Sequence, residues 1–177
     1  MSIQLSQVAP LFNIPDVDGK IVSLDRYKGQ KVLLTFYRNV GCPICNLRFH
    51  ELEKQSAFFR SKKLALISIY ESTSENMRKF LEGESYYSVM IPNPDLSLYN
   101  RYQVEKSTGK FFKSMLHGIA GKVKAGKALF KEKIAIDGSF NRVGASFIID
   151  EQGKVLLSYY GKYVGDELPL SEIKKVI

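Results

Sequence analysis

Two apolar runs, residues 31–37 and 64–70, show almost no alternation of polar and apolar side chains. This pattern is typical of strands covered on both faces, because neither face has to meet water. Between them, Cys45, Phe49 and Leu52 recur at i, i+4 and i+7, which places these three side chains on one face of a helix. The order strand, helix, strand indicates an α/β fold with residues 31–37 as a central strand.

The rest of the chain extends this pattern. Asp18-Gly19 between two apolar runs predicts an N-terminal hairpin. Further predicted elements are a helix after a capping box at residues 72–75, a strand at 88–91, a short helix at 96–102, a strand pair at 145–150 and 154–160, and a final helix at 170–177. Strand-helix units followed by an antiparallel pair predict a mixed sheet with helices on both faces, which is the thioredoxin-like architecture.

Length and composition fit one domain spanning residues 1–177, which is large enough to bury a full hydrophobic core. No run approaches the roughly 18 to 20 apolar residues of a membrane span. The first residues lack a basic segment followed by a long apolar one, so we expect a cytoplasmic protein. In a reducing compartment, two closely spaced cysteines indicate catalysis or metal binding more than architecture.

One segment departs from the alternating pattern. Residues 106–133 contain eight lysines and a single acid, and we interpret about 106–140 as an insertion before the last strand pair. Its apolar residues near helical spacing are Phe112, Met115, Leu116 and Ile119. A basic amphipathic helix at an active-site lid, partner or membrane surface is one interpretation. A helix packed on the domain, with its lysines in water, is the other.

The two cysteines, Cys42 and Cys45, follow the central strand directly. Pro43 fits the first position of a helix, where its missing N–H is not needed, and this predicts Cys42 as the helix cap and the exposed end of the pair. Free N–H groups and the helix dipole there stabilise a thiolate and lower a cysteine pKa to about 3.5 to 7.5. In a dithiol mechanism Cys42 attacks and Cys45, one turn further in, resolves the mixed disulfide.

Segments spread over nearly the whole chain resemble the alkyl hydroperoxide reductase and thiol-specific antioxidant (AhpC/TSA) family, in its peroxiredoxin-like branch. The resembling segments are residues 9–12, 18–20, 36–45, 93–99, 147–150, 153–154, 160–162 and 165–170. The resemblance implies a thioredoxin-like fold and a thiol-dependent antioxidant activity. The family's Pro-x-x-x-Thr-x-x-Cys pattern, laid on this chain, places Cys45 at the peroxidatic position, Cys42 at the Thr and Arg38 at the Pro.

Three departures from the family pattern concern the site. A thiol at the position of the peroxide-binding Thr makes the site resemble a thioredoxin dithiol. The family's helper arginine matches Gly144, with Arg142 two residues before it. Thioredoxin-fold enzymes also carry a cis-proline just before the late hairpin, and here Gly144 or Ala145 takes that place. Arg38 is equally consistent with lowering the pKa of a neighbouring thiol and with a solvated strand end.

These observations predict a thiol oxidoreductase that reduces a disulfide or a peroxide with Cys42 and Cys45. We expect an external thiol reductant, such as a thioredoxin or a small thiol, no cofactor, no nucleic-acid partner and no membrane contact. Zinc is disfavoured because only His50 and His117 could join the cysteines, and both are interpreted as structural or surface residues. The alternative is a non-catalytic binding module that uses its basic insertion. The oligomeric state is not predicted.

Overall fold

The computed structural model describes residues 2–81, 83–130 and 134–177. Residues 131–133, at the end of the lysine-rich run, lie outside the described part. The strands are β1 Asn13–Pro15, β2 Ile21–Ser23, β3 Lys31–Phe36, β4 Leu64–Tyr70, β5 Val89–Pro92, β6 Ala145–Ile149 and β7 Val155–Tyr160. The α-helices are α1 Pro43–Glu53, α2 Ser56–Ser61, α3 Ser74–Leu81, α4 Ser97–Arg101, α5 Thr108–Met115, α6 Ile119–Lys127 and α7 Leu170–Val176.

A five-stranded sheet in the order β5-β4-β3-β6-β7 forms the centre of the molecule. β3 pairs in parallel with β4, which pairs in parallel with β5. On its other side β3 pairs antiparallel with β6, and β6 with β7. The predicted mixed sheet with β3 at its centre is therefore confirmed.

Alternate residues of β3 enter separate hydrophobic clusters, because successive side chains of a strand point to opposite faces. Val32, Leu34 and Phe36 join a cluster that includes residues of β2 and α4. Leu33 joins a cluster built from residues of α1, α2 and α7, including Leu52. Helices therefore cover both faces of the sheet, as the continuous apolar run predicts.

The N-terminal hairpin is present as predicted. β1 pairs antiparallel with β2, and the Asp16 carboxylate accepts hydrogen bonds from the backbone N–H groups of Asp18 and Lys20, both at 2.9 Å. Gly19 adopts φ +84°, a conformation that glycine reaches without strain. The turn chemistry of Asp-Gly thus fixes this hairpin.

The start of α3 differs from the prediction. Thr73 Oγ1 accepts the N–H of Asn76 at 3.3 Å, whereas the Ser72 hydroxyl donates to Asp137 at 2.6 Å. Glu75 pairs with Lys79 at 2.8 Å. The predicted capping box at residues 72–75 is therefore wrong. The Ser72 hydroxyl, which would have capped the helix, instead hydrogen-bonds the carboxylate of Asp137, which is distant in sequence.

The lysine-rich segment forms two helices. α5 ends at Met115, and α6 begins after Gly118, whose φ of +69° interrupts the helical path. A single amphipathic helix through Phe112 and Ile119 is therefore not formed. Among the residues that the structure describes, none of the helices has both the length and the apolar character of a membrane span.

Candidate active site

The cysteine pair occupies the first turn of α1, where the chain leaves the centre of the sheet. Cys42 is the N-cap residue with an extended backbone (φ −81°, ψ 116°), and Pro43 is the first helical residue, as predicted. The Cys45 N–H donates to Cys42 Sγ at 3.3 Å. The sulfur of Cys42 thus takes the place that a capping oxygen usually holds, in contact with an N–H left free by the helix.

Arg38, just beyond the end of β3, contacts both cysteines. Its Nη2 donates to Cys42 Sγ at 2.8 Å, and its backbone N–H donates to Cys45 Sγ at 3.4 Å. Its Nη1 donates to the carbonyl of Phe140 at 2.6 Å, which fixes the guanidinium from the other side. Of the two interpretations of Arg38, a group beside the thiol and a solvated strand end, the structure shows the first.

These contacts give the two thiols different pKa values. Burial raises the pKa of Cys42, but hydrogen bonding from Cys45 and the positive charge of Arg38 outweigh it and lower the pKa from 9.0 to about 6. Burial and the neighbouring sulfur of Cys42 raise the pKa of Cys45 well above 9.0. At neutral pH the pair therefore holds one thiolate, at Cys42, and one thiol, at Cys45.

The prediction that Cys42 is the exposed end of the pair is wrong. Cys42 is 3% exposed and Cys45 is 5% exposed. The chain returning towards β6 covers them: a Cβ on Gly41 would lie 2.7 Å from the carbonyl oxygen of Ala135, and Ile134 packs against the cluster that contains both cysteines. The thiolate is therefore buried by a segment that is far from Cys42 in sequence. The local helix pattern, from which exposure is predicted, contains no information about this contact.

Helix α6 lies across the start of α1. A Cβ on Gly126 would lie 1.8 Å from the carbonyl oxygen of Pro43, so only a glycine permits this approach. The side-chain amide of Asn46 donates to the carbonyl of Gly126 at 3.3 Å. The second helix of the lysine-rich segment is thus packed on the domain, next to the cysteine pair.

Two glycine-to-alanine substitutions within α6 test the close contact between Gly126 and Pro43. We expect Gly126→Ala to lower the free energy of unfolding by about 1–3 kcal/mol, since overpacking forces α6 away from α1. Gly121→Ala has nothing within 4 Å of its new Cβ and should be stabilising by up to about 1 kcal/mol through helix propensity. Urea unfolding measures both. Equal effects of the two substitutions would contradict the described contact.

The model of the AhpC/TSA family matches residues 5–158. The chain belongs to the AhpC/TSA family. Among its relatives, peroxiredoxin Bcp of Escherichia coli is 26% identical over 107 residues, which are 59% of this chain and 69% of that protein. The family assignment makes the chain an enzyme of the thioredoxin-fold thiol oxidoreductase class.

Solved structures agree with this AhpC/TSA fold. Peroxidoxin BcpB of Mycobacterium tuberculosis superposes with a TM-score of 0.68 at 15% identity, covering 98% of this chain and 94% of the other. The bacterioferritin comigratory protein of Xanthomonas campestris, described for its alkyl peroxide reduction activity, superposes with a TM-score of 0.64 at 9% identity, covering 89% and 85%. At such identities the likeness concerns the thioredoxin-like fold alone.

Two further predicted site residues of this AhpC/TSA chain lie close to the cysteines. Arg142 and Gly144 line the same small cavity as Cys45. Arg142, however, forms a buried ion pair with Glu71, donates to the carbonyl of Val104 at 2.5 Å, and makes no hydrogen bond to either cysteine among the described residues. The guanidinium that reaches a thiol belongs to Arg38.

Gly144 stands immediately before β6, where its carbonyl accepts the N–H of Gly161 at 2.9 Å. No cis peptide bond occurs among the residues that the structure describes. The carboxylate oxygens of Glu167 lie 3.5 Å from the position that a Cβ on Gly144 would take. No sequence motif points to Glu167, although it lies within residues 165–170, a segment that resembles the family.

The two histidines lie apart from the cysteine chemistry. His50 is half-buried among the rings of Phe49, Phe80 and Tyr86 and lines an open pocket, so it lies only partly at the surface. The ring of His117 stacks on Tyr163 with centroids 4.1 Å apart. Across residues 2–81, 83–130 and 134–177, no three His, Cys, Asp or Glu side chains are grouped so that they could hold a metal ion.

Proposed function

We propose that the chain is a two-cysteine thiol oxidoreductase, in which the Cys42 thiolate attacks a peroxide or a disulfide and Cys45 resolves the intermediate. The observation that carries the proposal is the 2.8 Å contact from Arg38 Nη2 to Cys42 Sγ. A guanidinium at this distance stabilises the anion, which is the nucleophilic form of a cysteine. The assignment reverses the family pattern, which places the peroxidatic cysteine at position 45.

The reaction with a peroxide proceeds in two steps before the enzyme is reduced again. Cys42 attacks the O–O bond, becomes a sulfenic acid, and an alcohol or water leaves after taking up a proton. The Cys45 sulfur then displaces the sulfenic oxygen as water, which leaves a Cys42–Cys45 disulfide. With a disulfide substrate, Cys42 first forms a mixed disulfide and Cys45 displaces the second substrate thiol.

An external dithiol, or two molecules of a small thiol, must then return two electrons to the Cys42–Cys45 disulfide. A thioredoxin-type protein meets this requirement, and we propose one as the reductant. The cytoplasm supplies such reductants and keeps the pair reduced between turnovers, so we propose that the enzyme acts there. The 3% exposure of Cys42 favours substrates small enough to reach it beneath residues 134–140.

Single cysteine substitutions test the assignment of roles. We expect Cys45→Ser to retain a Cys42 that is alkylated rapidly at pH 7, since Arg38 still contacts its sulfur. Cys42→Ser should leave a Cys45 that reacts at least tenfold more slowly, because burial raises the pKa of Cys45. Iodoacetamide labelling followed by mass spectrometry measures both rates.

The unsubstituted chain serves as the control. One equivalent of peroxide should produce a species lighter by two hydrogens, with no thiol left to alkylate. Two persistently free thiols after oxidation would refute the proposed function. Faster alkylation of Cys45 than of Cys42 would instead reverse the two roles and restore the family pattern.

A second candidate function is the binding module predicted from the basic segment. The observation that favours it is an exposed apolar group beside Lys113 on α5 and the following turn: Phe112 and Met115 are more than half exposed, and Leu116 is 85% exposed. Salt-sensitive binding to anionic phospholipid vesicles, retained in the Cys42→Ser, Cys45→Ser double variant, would support this second function. Absence of vesicle binding would exclude an anionic membrane surface as the binding partner.

A further inference from the structure

Glu167 is a half-buried acid in the segment between β7 and α7. Its carboxyl group makes no hydrogen bond or close ion pair with the part of the chain that the structure describes. Its oxygens are not fully buried, and the side chain also lines a larger open pocket with Arg48 and Lys122, so the carboxyl can exchange its proton with water. An uncommitted carboxyl beside an active-site helix is therefore a candidate for proton transfer.

The carboxyl group and the less acidic cysteine share one cavity. Cys45 and Glu167 both line a space of about 10 Å³, together with Gly144 and Arg38. The Phe36 carbonyl oxygen and the Glu167 carboxylate oxygens each lie 3.5 Å from the position of a Cβ on Gly144. A space of this volume is at the lower limit for one water molecule. A proton can therefore pass between the two groups through a single water molecule.

Resting on the proposed function, we infer that Glu167 accepts the proton of the Cys45 thiol when Cys45 attacks the mixed disulfide on Cys42. As the Cys45 S–H bond breaks, its electron pair forms the bond to Cys42 Sγ, and the proton goes to the Glu167 carboxylate. The bond between Cys42 and the substrate sulfur breaks, and the substrate leaves as a thiolate with that electron pair. Glu167 then returns its proton to the leaving thiolate or to solvent.

The electrostatic surroundings suit this role. Burial raises the pKa of Glu167 to about 7, the positive charges of Arg48 and Lys122 lower it, and a negative charge on Cys45 raises it. At neutral pH both forms of the carboxyl are therefore populated, which is the condition under which an acid–base group works best. The titratable groups whose charges interact with Glu167 include Tyr37, Cys45, Arg48, Lys122, Tyr159 and Asp166, and the charged Arg38 and Arg142 line the same small cavity.

The chromogenic disulfide dithiobis(nitrobenzoate) separates the two chemical steps. Attack by Cys42 releases one coloured thiolate, and attack by Cys45 on the mixed disulfide releases a second. We expect Glu167→Gln to leave the rate of the first phase within about twofold and to slow the second at least tenfold, the lower part of the usual contribution of a general base. Glu172→Gln on α7, an exposed residue paired with Lys175, is the control and should change neither phase.

The pH profile gives a second readout that a merely structural role would not move. In the unsubstituted chain the second phase should accelerate as pH rises through about 7, since Glu167 becomes a base by losing its proton, and Glu167→Gln should abolish this inflection. An unchanged second phase in Glu167→Gln, or no inflection in the unsubstituted chain, would overturn the inference while the two-phase release still supports the proposed function. Release of a single equivalent by the unsubstituted chain would instead refute the proposed function.

Discussion

Replacing Arg38 by Gln should slow alkylation of Cys42 at pH 7 by about tenfold. The substitution removes the cation that donates to Cys42 Sγ at 2.8 Å, so the pKa of Cys42, which is about 6, rises. A rise of about two units reduces the thiolate fraction at pH 7 from about nine-tenths to about one-tenth. The inflection of the rate against pH should move to higher pH by the same amount, because thiolate predominates only above the pKa.

Arg26→Gln provides the matched control, since Arg26 is an exposed arginine in the 3-10 turn Leu24–Tyr27. It changes the net charge equally but lies outside the cysteine site. The rate of Cys42 alkylation by iodoacetamide is measured for both variants between pH 5 and 10. This range of about five units includes the pKa of Cys42 expected in each variant. A pH profile for Arg38→Gln that coincides with the control would show that Arg38 does not activate the thiol.

Replacing Arg142 by Met should destabilise the fold by about 3–5 kcal/mol, the usual cost of leaving one partner of a buried ion pair uncompensated. Arg142 is 4% exposed and Glu71 is 3% exposed, and the guanidinium also lies 4.7 Å from the ring centre of Tyr99. Glu71 in turn accepts the N–H of Ser139, so it fixes the chain that leads back to β6. Urea unfolding of the single variant measures the loss.

The double variant Glu71→Gln, Arg142→Met is the control for this prediction. It removes both charges and should recover part of the lost stability, since no buried charge then remains unpaired. The pKa of Cys42 in Arg142→Met should stay near that of the unsubstituted chain. A large rise in that pKa, with stability retained, would instead make Arg142 the helper arginine that the family resemblance implies.

The sheet could be predicted from the sequence because its signals are local. β3 and β4 are continuous apolar runs, and each is buried over nearly its whole length. The hairpin turn at Gly19 and the cap at Cys42 also depend on neighbouring residues only. Such features follow from backbone preference and side-chain periodicity, and tertiary contacts only reinforce them.

The features that could not be predicted are contacts between distant segments. Arg38 could contact a thiol or water, and its direction is decided by Cys42 on one side and the carbonyl of Phe140 on the other. The burial of Cys42 depends on residues 134–140. The position of Glu167 beside Cys45 depends on the segment after β7. No periodicity records these approaches, so the sequence predicts the cysteines at the start of a helix but not their burial or their contacts with distant segments.

Arg38 links the chemical state of the nucleophile to the chain that covers it. In the reduced form its guanidinium bridges the anionic sulfur of Cys42 and the carbonyl of Phe140. Once Cys42 enters a disulfide, its sulfur carries no charge and attracts the guanidinium less. The contact of Arg38 with Cys42 then weakens, and the hydrogen bond to the Phe140 carbonyl remains. If Cys42 and Cys45 form the disulfide proposed above, we expect oxidation to loosen the cover over the site at the stage when an external thiol must reach the disulfide, and reduction to restore it.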